Sequence, residues 1–215
     1  MGRLPRLLLP ALLVLGSVAS FAAPSVAWAQ RFELPPAPDE LPAMIVGTVW
    51  FSAVFPLVNV HSCPSGADCV LNGGGGIGGG IERRWSSGMA IGLEYEAWFL
   101  NSSGIYELGT VQAITAYARH LLARDNVIHP YLGAGFGGVI FGDTLRVDTV
   151  GLALNLHSGL EWEISESISV MVALVTRLVV LEGFTTGADG VQRADGFGVD
   201  ALLGLRLGVA ISGGQ

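Results

Sequence analysis

The sequence predicts an all-β chain, an eight-stranded antiparallel up-and-down transmembrane β-barrel preceded by a cleaved signal peptide. Three observations carry that expectation: a membrane-like composition without membrane helices, long segments that alternate with a period of two, and connections that alternate between long and short. Of the 215 residues, 51% are hydrophobic and 13% are charged, about half the roughly 25% charged share of soluble domains. The 31 glycines are about twice the usual share of roughly 7%. Low charge with high apolar content excludes intrinsic disorder. A helical membrane protein needs unbroken apolar runs of about 20 residues, and the chain has none beyond its amino-terminal segment.

That segment reads as an address. Arg3 and Arg6 precede an apolar run from Leu7 to Ala19, and Ala27-Trp28-Ala29 has the A-x-A form of a cleavage site. Residues 1–29 are therefore expected to be removed, leaving Gln30 as the first mature residue. Residues 30–42 hold Pro35, Pro36, Pro38 and Pro42. Such density forbids a helix or an inner strand, so an extended periplasmic leader is expected before a barrel domain over 43–213. The net charge is −7 and every basic residue is Arg; loss of Arg3 and Arg6 makes the chain more acidic still. An acidic chain without a basic patch argues against nucleic acid as a partner.

The strands follow from alternation. Val150, Leu152, Leu154, Leu156, Leu160, Trp162 and Ile164 share one face, broken only by Ser158, and Gly151, Ala153, Asn155, His157, Gly159, Glu161 and Glu163 share the other. Met89, Ile91, Leu93, Tyr95, Ala97 and Phe99 oppose Ala90, Gly92, Glu94, Glu96 and Trp98. Ile168, Val170, Val172, Leu174, Thr176 and Leu178 oppose Ser169, Met171, Ala173, Val175 and Arg177, and a similar pattern runs from Val199 to Ser212. The glycine-rich run sets Ile77, Ile81 and Trp85 against Gly78, Gly80, Glu82 and Arg84. Less clean strands are expected over 44–55, 110–122 and 128–141; the faces of 110–122 are not assignable, because alanines occupy both. These strands exceed the usual five or six residues, as tilted membrane-crossing strands should.

Tight connections fall at Ser86-Ser87-Gly88, at 123–126 and at Ser165-Glu166-Ser167, and long ones over 60–73, 101–109, 142–149 and 185–197. Short periplasmic turns and longer external loops are the pattern of outer-membrane barrels, and it puts both ends of the barrel domain on the periplasmic side. Three features set the apolar face outward: the polar faces are mostly Gly, Ala and Ser with sparse charge, the apolar faces are continuous in Leu, Val and Ile, and aromatics collect near strand ends. Trp85 and Trp162 lie near short turns, and Phe55, Phe99, Phe184 and Phe197 near long loops, as two interfacial girdles would require.

The segment Pro130-Tyr131-Leu132-Gly133-Ala134-Gly135-Phe136-Gly137, set in an eight-strand meander behind a signal peptide, resembles the small outer-membrane β-barrels of the OmpA, OmpX and opacity-protein type. The resemblance covers about 43–213. It implies a bacterial outer-membrane location, lipid and the barrel-assembly machinery as partners, and external loops open to an extracellular ligand. Members usually end on an aromatic residue. This chain ends Ile211-Ser-Gly-Gly-Gln215, which implies either a variant assembly signal or a final strand read from Leu205 to Ile211.

With eight strands the interior is just wide enough for side chains to fill it. Glu82, Arg84, Glu94, Glu96, His157, Glu161, Glu163, Arg177, Asp200 and Arg206 are expected inside as a polar network. Buried charges must be paired or solvated. Carboxylates outnumber arginines in this set, so trapped water or a protonated Glu is expected. The surplus also admits a narrow cation-preferring pore as an alternative to a polar plug. His157, Ser158 and Glu161 invite an enzyme reading, but neighbouring strand residues point to opposite faces and Glu161 lies about 13 Å along the strand at its normal rise. A nucleophile and its base must be within hydrogen-bond reach, so no catalytic residue is expected. His157 is expected instead to be a core histidine hydrogen-bonded to a carboxylate of a neighbouring strand.

Cys63 and Cys69 are expected to form a small loop disulfide in an oxidising compartment. A metal site with His61 as third ligand lacks CxxC spacing and a second His. The glycines of 73–80 lack the helix and Lys of a phosphate cradle, and are expected to seat bulky interior residues or mark bending. The segment 185–197, with Gly187, Asp189, Gly190 and Asp195, lacks the spacing of a calcium loop. No cofactor is expected. The expected role is non-enzymatic, structural or surface-interacting, with a small pore or transporter, or a soluble periplasmic ligand-binding barrel, as alternatives.

Overall fold

A computed structural model describes residues 43–59, 61–123, 126–144 and 146–213, without the side chains of residues 194 and 195. The expected signal peptide and proline-rich leader lie outside the described residues. Eight strands follow one another as β1 (Met44–Val58), β2 (Gly74–Arg84), β3 (Met89–Leu100), β4 (Gly109–Leu121), β5 (Ile128–Asp143), β6 (Arg146–Ser165), β7 (Ile168–Thr185) and β8 (Gln192–Ser212). Each pairs antiparallel with the next, and β1 with β8, closing the barrel. Closure leaves no strand edge unpaired, which a bilayer demands because its core offers backbone groups no water.

Alternation becomes an inside and an outside. Phe51 is 72% and Phe136 70% exposed, and Leu93, Ile114, Leu152, Leu174 and Leu207 also face out. Glu82, Glu96, Glu161, Arg177 and Arg206 are buried. A soluble barrel would reverse this, since an apolar exterior of such extent cannot face water. The β4 ambiguity resolves with Val111, Ala113, Thr115, Tyr117 and Arg119 inward, and Ile114, Ala118 and His120 outward.

Two expected long loops are strand instead. β5 and β6 continue to Asp143 and from Arg146, so 142–149 contracts to a tight turn with Thr144 at φ 44°. β7 and β8 likewise reduce 185–197 to the connection 186–191. The physical reason is a change of parity. Register shifts between Phe141 and Gly142, and between Glu182 and Phe184, break the period of two where it would have marked strand. At Gly142 a Cβ would stand 1.8 Å from the Arg146 carbonyl oxygen, so only glycine permits that bulge. The second shift turns Phe184 inward, where it is buried; it is not part of an outer aromatic girdle, whereas Phe55, Phe99 and Phe197 do face out. The barrel thus has a tall wall, β5–β8, and a shorter one, β1–β4, whose connections 59–73 and 101–108 are its long loops.

Candidate functional site: the filled lumen and its mouth

From the short-turn end upward, the lumen holds two charge layers and then an apolar cap. In the lower layer Glu82 on β2 receives Arg84 Nη2 at 2.6 Å, Arg119 Nη2 and Nε at 2.6 and 2.7 Å, and the Tyr117 hydroxyl at 2.9 Å. Glu161 on β6 receives Arg84 through both Nη atoms at 2.9 and 3.1 Å, and Arg119 Nη2 at 3.2 Å. In the layer above, Glu94 receives Arg206 through both Nη atoms at 2.9 and 3.1 Å. Glu96 receives Arg206 Nη2 at 2.6 Å, Arg177 Nη2 at 2.9 Å and Trp50 Nε1 at 3.0 Å. Arg177 also donates Nε to Asn155, whose amide reaches Glu94.

Each layer therefore sets two glutamates against two arginines. The expected surplus of carboxylates does not exist within this network, and for three identifiable reasons. Arg119 joins it from β4. Glu163 does not: it stands at the short-turn rim with its side chain 55% exposed, 3.2 Å from His129. Asp200 is buried higher up, where the Ser62 hydroxyl from loop 59–73 donates to it. The four glutamates of the layers are tolerated because each is paired with arginine, and the planar guanidinium can serve two carboxylates at once.

Aromatic rings complete the packing. Arg206 lies 4.5 Å from the Trp50 ring centroid, Arg177 4.1 Å from that of Trp98 and Arg119 4.7 Å from that of Tyr131. The glycine run makes room for the indoles. A Cβ on Gly78 would meet Trp50 ring atoms at 2.5 Å, and one on Gly76 the Trp98 ring at 2.5 Å. His157 is buried and stacks on Tyr117, with centroids 5.9 Å apart. Its expected hydrogen bond to a neighbouring strand is absent: Nε2 lies 3.9 Å from Glu94, across the lumen on β3, because the residues opposite it on β5 and β7 are Gly133 and Val175. Ser158 faces out while His157 faces in, so the two cannot act together. Two cavities among the layers measure about 10 and 20 Å³, each about the size of a single water.

The mouth is built differently. Val139, Phe141, Val179, Leu181 and Phe184 line the tall wall, and Val70, Leu71 and Tyr106 enter from the loops to join them in one buried cluster. Val70 and Leu71 are completely buried. Cys63 and Cys69 are disulfide-bonded in the same loop. Among the described residues no group of three or more His, Cys, Asp or Glu could hold a metal ion. Tyr106 donates to Asp148 at 2.7 Å; burial and that carboxylate push its phenol above the ordinary range, so it remains a donor. Arg193 is fully buried between loop 59–73 and the β7–β8 connection. On the outer wall, Tyr95 donates to Gln112 at 2.9 Å, which pairs two polar groups on a largely apolar surface.

The layers contain residues that alternation did not single out. Arg119, Tyr117 and Tyr131 lie on strands of ambiguous or glycine-rich pattern, and Arg193 lies where a loop was expected. A demand for neutrality would have found Arg119, since the carboxylates assigned to the lumen need a further cation.

A barrel closed through β1 and β8 has known counterparts in fold. Neisserial surface protein A superposes with a TM-score of 0.56 at 10% identity, covering 78% of this chain and 96% of that one. OprG of Pseudomonas aeruginosa superposes with a TM-score of 0.50 at 14% identity, covering 80% and 97%. The chain has the fold of the small outer-membrane β-barrels. No protein-family model matches this outer-membrane-type barrel, and no curated protein matches it in sequence. At these identities the likeness extends to the fold alone, so its function must be argued from its own lumen and loops.

Proposed function

We propose that the chain is an integral outer-membrane protein whose barrel is closed to solutes and whose role, structural or surface-interacting, is carried by its external loop rim. The observation that supports this reading is the filled lumen: two charge-balanced layers, among which two cavities are of single-water size, beneath an apolar cap. An ion would have to displace a guanidinium from two carboxylates to pass, which leaves buried charges unpaired. The pore reading rested on surplus lumen carboxylates, and the neutral layers remove that argument. His157 and Ser158 face opposite sides of the wall, which removes the support for a catalytic group built on them. The apolar exterior favours lipid as the surrounding medium, and the end bearing 59–73 and 101–108 corresponds to the external side.

Expression with the amino-terminal segment in a Gram-negative host tests this. The reading expects the protein in the outer-membrane fraction, with a folded band on a detergent gel that shifts on boiling. Protease added to whole cells should cut first in 59–73 or 101–108. A detergent-free soluble protein would overturn the proposal.

A further inference from the structure

The strand ladder reaches only the end of loop 59–73, where Asn72 N donates to the Asn101 carbonyl and Asn101 N to that of Gly73. Two side chains of the tall wall tie the rest of that loop down, Arg193 and Asp200, the latter accepting from the His61 and Ser62 amides. Arg193 Nη1 donates to the Ser62 carbonyl at 3.1 Å and to the Asp68 carbonyl at 2.7 Å. Its Nε donates to the Thr186 hydroxyl at 3.1 Å, and its Nη2 to Asp189 at 2.6 Å. Ser62 and Asp68 each immediately precede a cysteine of the Cys63–Cys69 disulfide. The closed ring therefore fixes how far apart the two carbonyls stand, and one nitrogen can serve both only at that spacing. The same ring ends at Cys69, next to Val70 and Leu71, the two side chains buried in the mouth. The Ser62 hydroxyl adds the contact to Asp200.

We infer that loop 59–73 is a stopper set by its disulfide: Arg193 is the positioning residue that recognises the closed ring, and opening the ring releases Val70 and Leu71 from the mouth. Release is thiol–disulfide exchange with a dithiol reductant. One thiolate of the reductant attacks a cysteine sulfur and breaks the Cys63–Cys69 bond, giving a mixed disulfide and one cysteine thiolate. The second reductant thiol resolves the mixed disulfide. Two electrons and two protons pass to the protein, leaving two thiols there and a disulfide in the reductant. The reverse exchange, with an oxidised dithiol as acceptor, sets the stopper.

The released loop costs the barrel little, because strand pairing and both charge layers lie outside it. Segments with few ladder bonds open independently of the global transition. The buried Arg193 would then keep Asp189 and Thr186 and take water in place of the two carbonyls.

Hydrogen exchange on the full barrel domain in detergent micelles, with and without a dithiol reductant, tests the inference. Reduction should speed exchange at Val70 and Leu71 on the order of ten-fold or more while β1–β8 stay protected, with heat-modifiable mobility retained. The double variant Cys63→Ser, Cys69→Ser should exchange fast at once and ignore the reductant. Arg193→Gln should release the loop with the disulfide intact. Equal protection of Val70 and Leu71 in oxidised and reduced protein would overturn the inference. Release on reduction with the loop of a folded Arg193→Gln variant still seated would overturn the role given to Arg193. Should that variant not fold, the reductant comparison on the unaltered protein decides alone.

Discussion

The charge layers and the mouth close the same barrel by opposite means. In the layers every closing group sits on a strand and cannot leave without breaking the ladder. Glu82, Glu94, Glu96 and Glu161 meet Arg84, Arg119, Arg177 and Arg206 from six of the eight strands and tie them across the lumen. In the mouth, Val70, Leu71 and Tyr106 arrive on loops from the short wall and join one buried cluster with residues of both walls. The first closure is as stable as the fold itself, and the second has a stability of its own. The uneven walls produce the difference: where β1–β4 stop short, loops must supply the missing interior.

Substitutions should separate the two regions, the largest effect falling in the layers. Arg206 serves Glu94 and Glu96 together, so Arg206→Met leaves two buried carboxylates to share Arg177 and should cost about 3–5 kcal/mol of barrel stability, read by urea unfolding in detergent. A loss below about 1 kcal/mol, the range of exposed pairs, would mean that water reaches the layer. Gly78→Ala comes next. Its Cβ must displace Trp50, which also contacts Glu96 and Arg206, and overpacking of this kind costs about 1–3 kcal/mol. A shift in tryptophan emission should accompany it.

Mouth substitutions should be milder and local. Tyr106→Phe removes the hydrogen bond to Asp148, worth about 1 kcal/mol; exchange should rise over 101–108 and leave the urea midpoint nearly unchanged. The smallest effect is that of pH on the β7–β8 connection. Burial alone would raise Asp189, but the Thr186 hydroxyl, the Val191 amide and Arg193 hold it below the ordinary value of 3.8. Its contribution is therefore complete above that value and is lost as pH falls through the lowered one. Exchange over 186–191 should quicken only in that acid range; quickening near neutrality would remove Asp189 from the account.

The fold was legible because alternation reports a two-faced wall wherever the ladder is regular. It marked β3, β6 and β7 cleanly, and it failed at Gly142 and at Glu182–Phe184, where bulges change the parity and lengthen the tall wall unseen. The lumen was legible by strand but not by partner. Glu94 and Glu96 read as inward, yet their cations come from β7 and β8, which sequence spacing does not relate to β3. Arg119 was hidden by alanines on both faces of β4, and Glu163, correct in parity, lies too near the rim to be buried. The stopper was not legible at all, because nothing in Val70-Leu71 distinguishes a loop that folds inward from one that projects.

The central claim is that the charge layers close the barrel without help from the stopper. Planar-bilayer recording of two proteins, the unaltered barrel and one with 59–73 replaced by a short turn, tests it most directly. Closure by the layers predicts no stable conductance in either. A steady conductance in the shortened protein alone would show that the loop is the real barrier, and one in both would contradict a filled lumen.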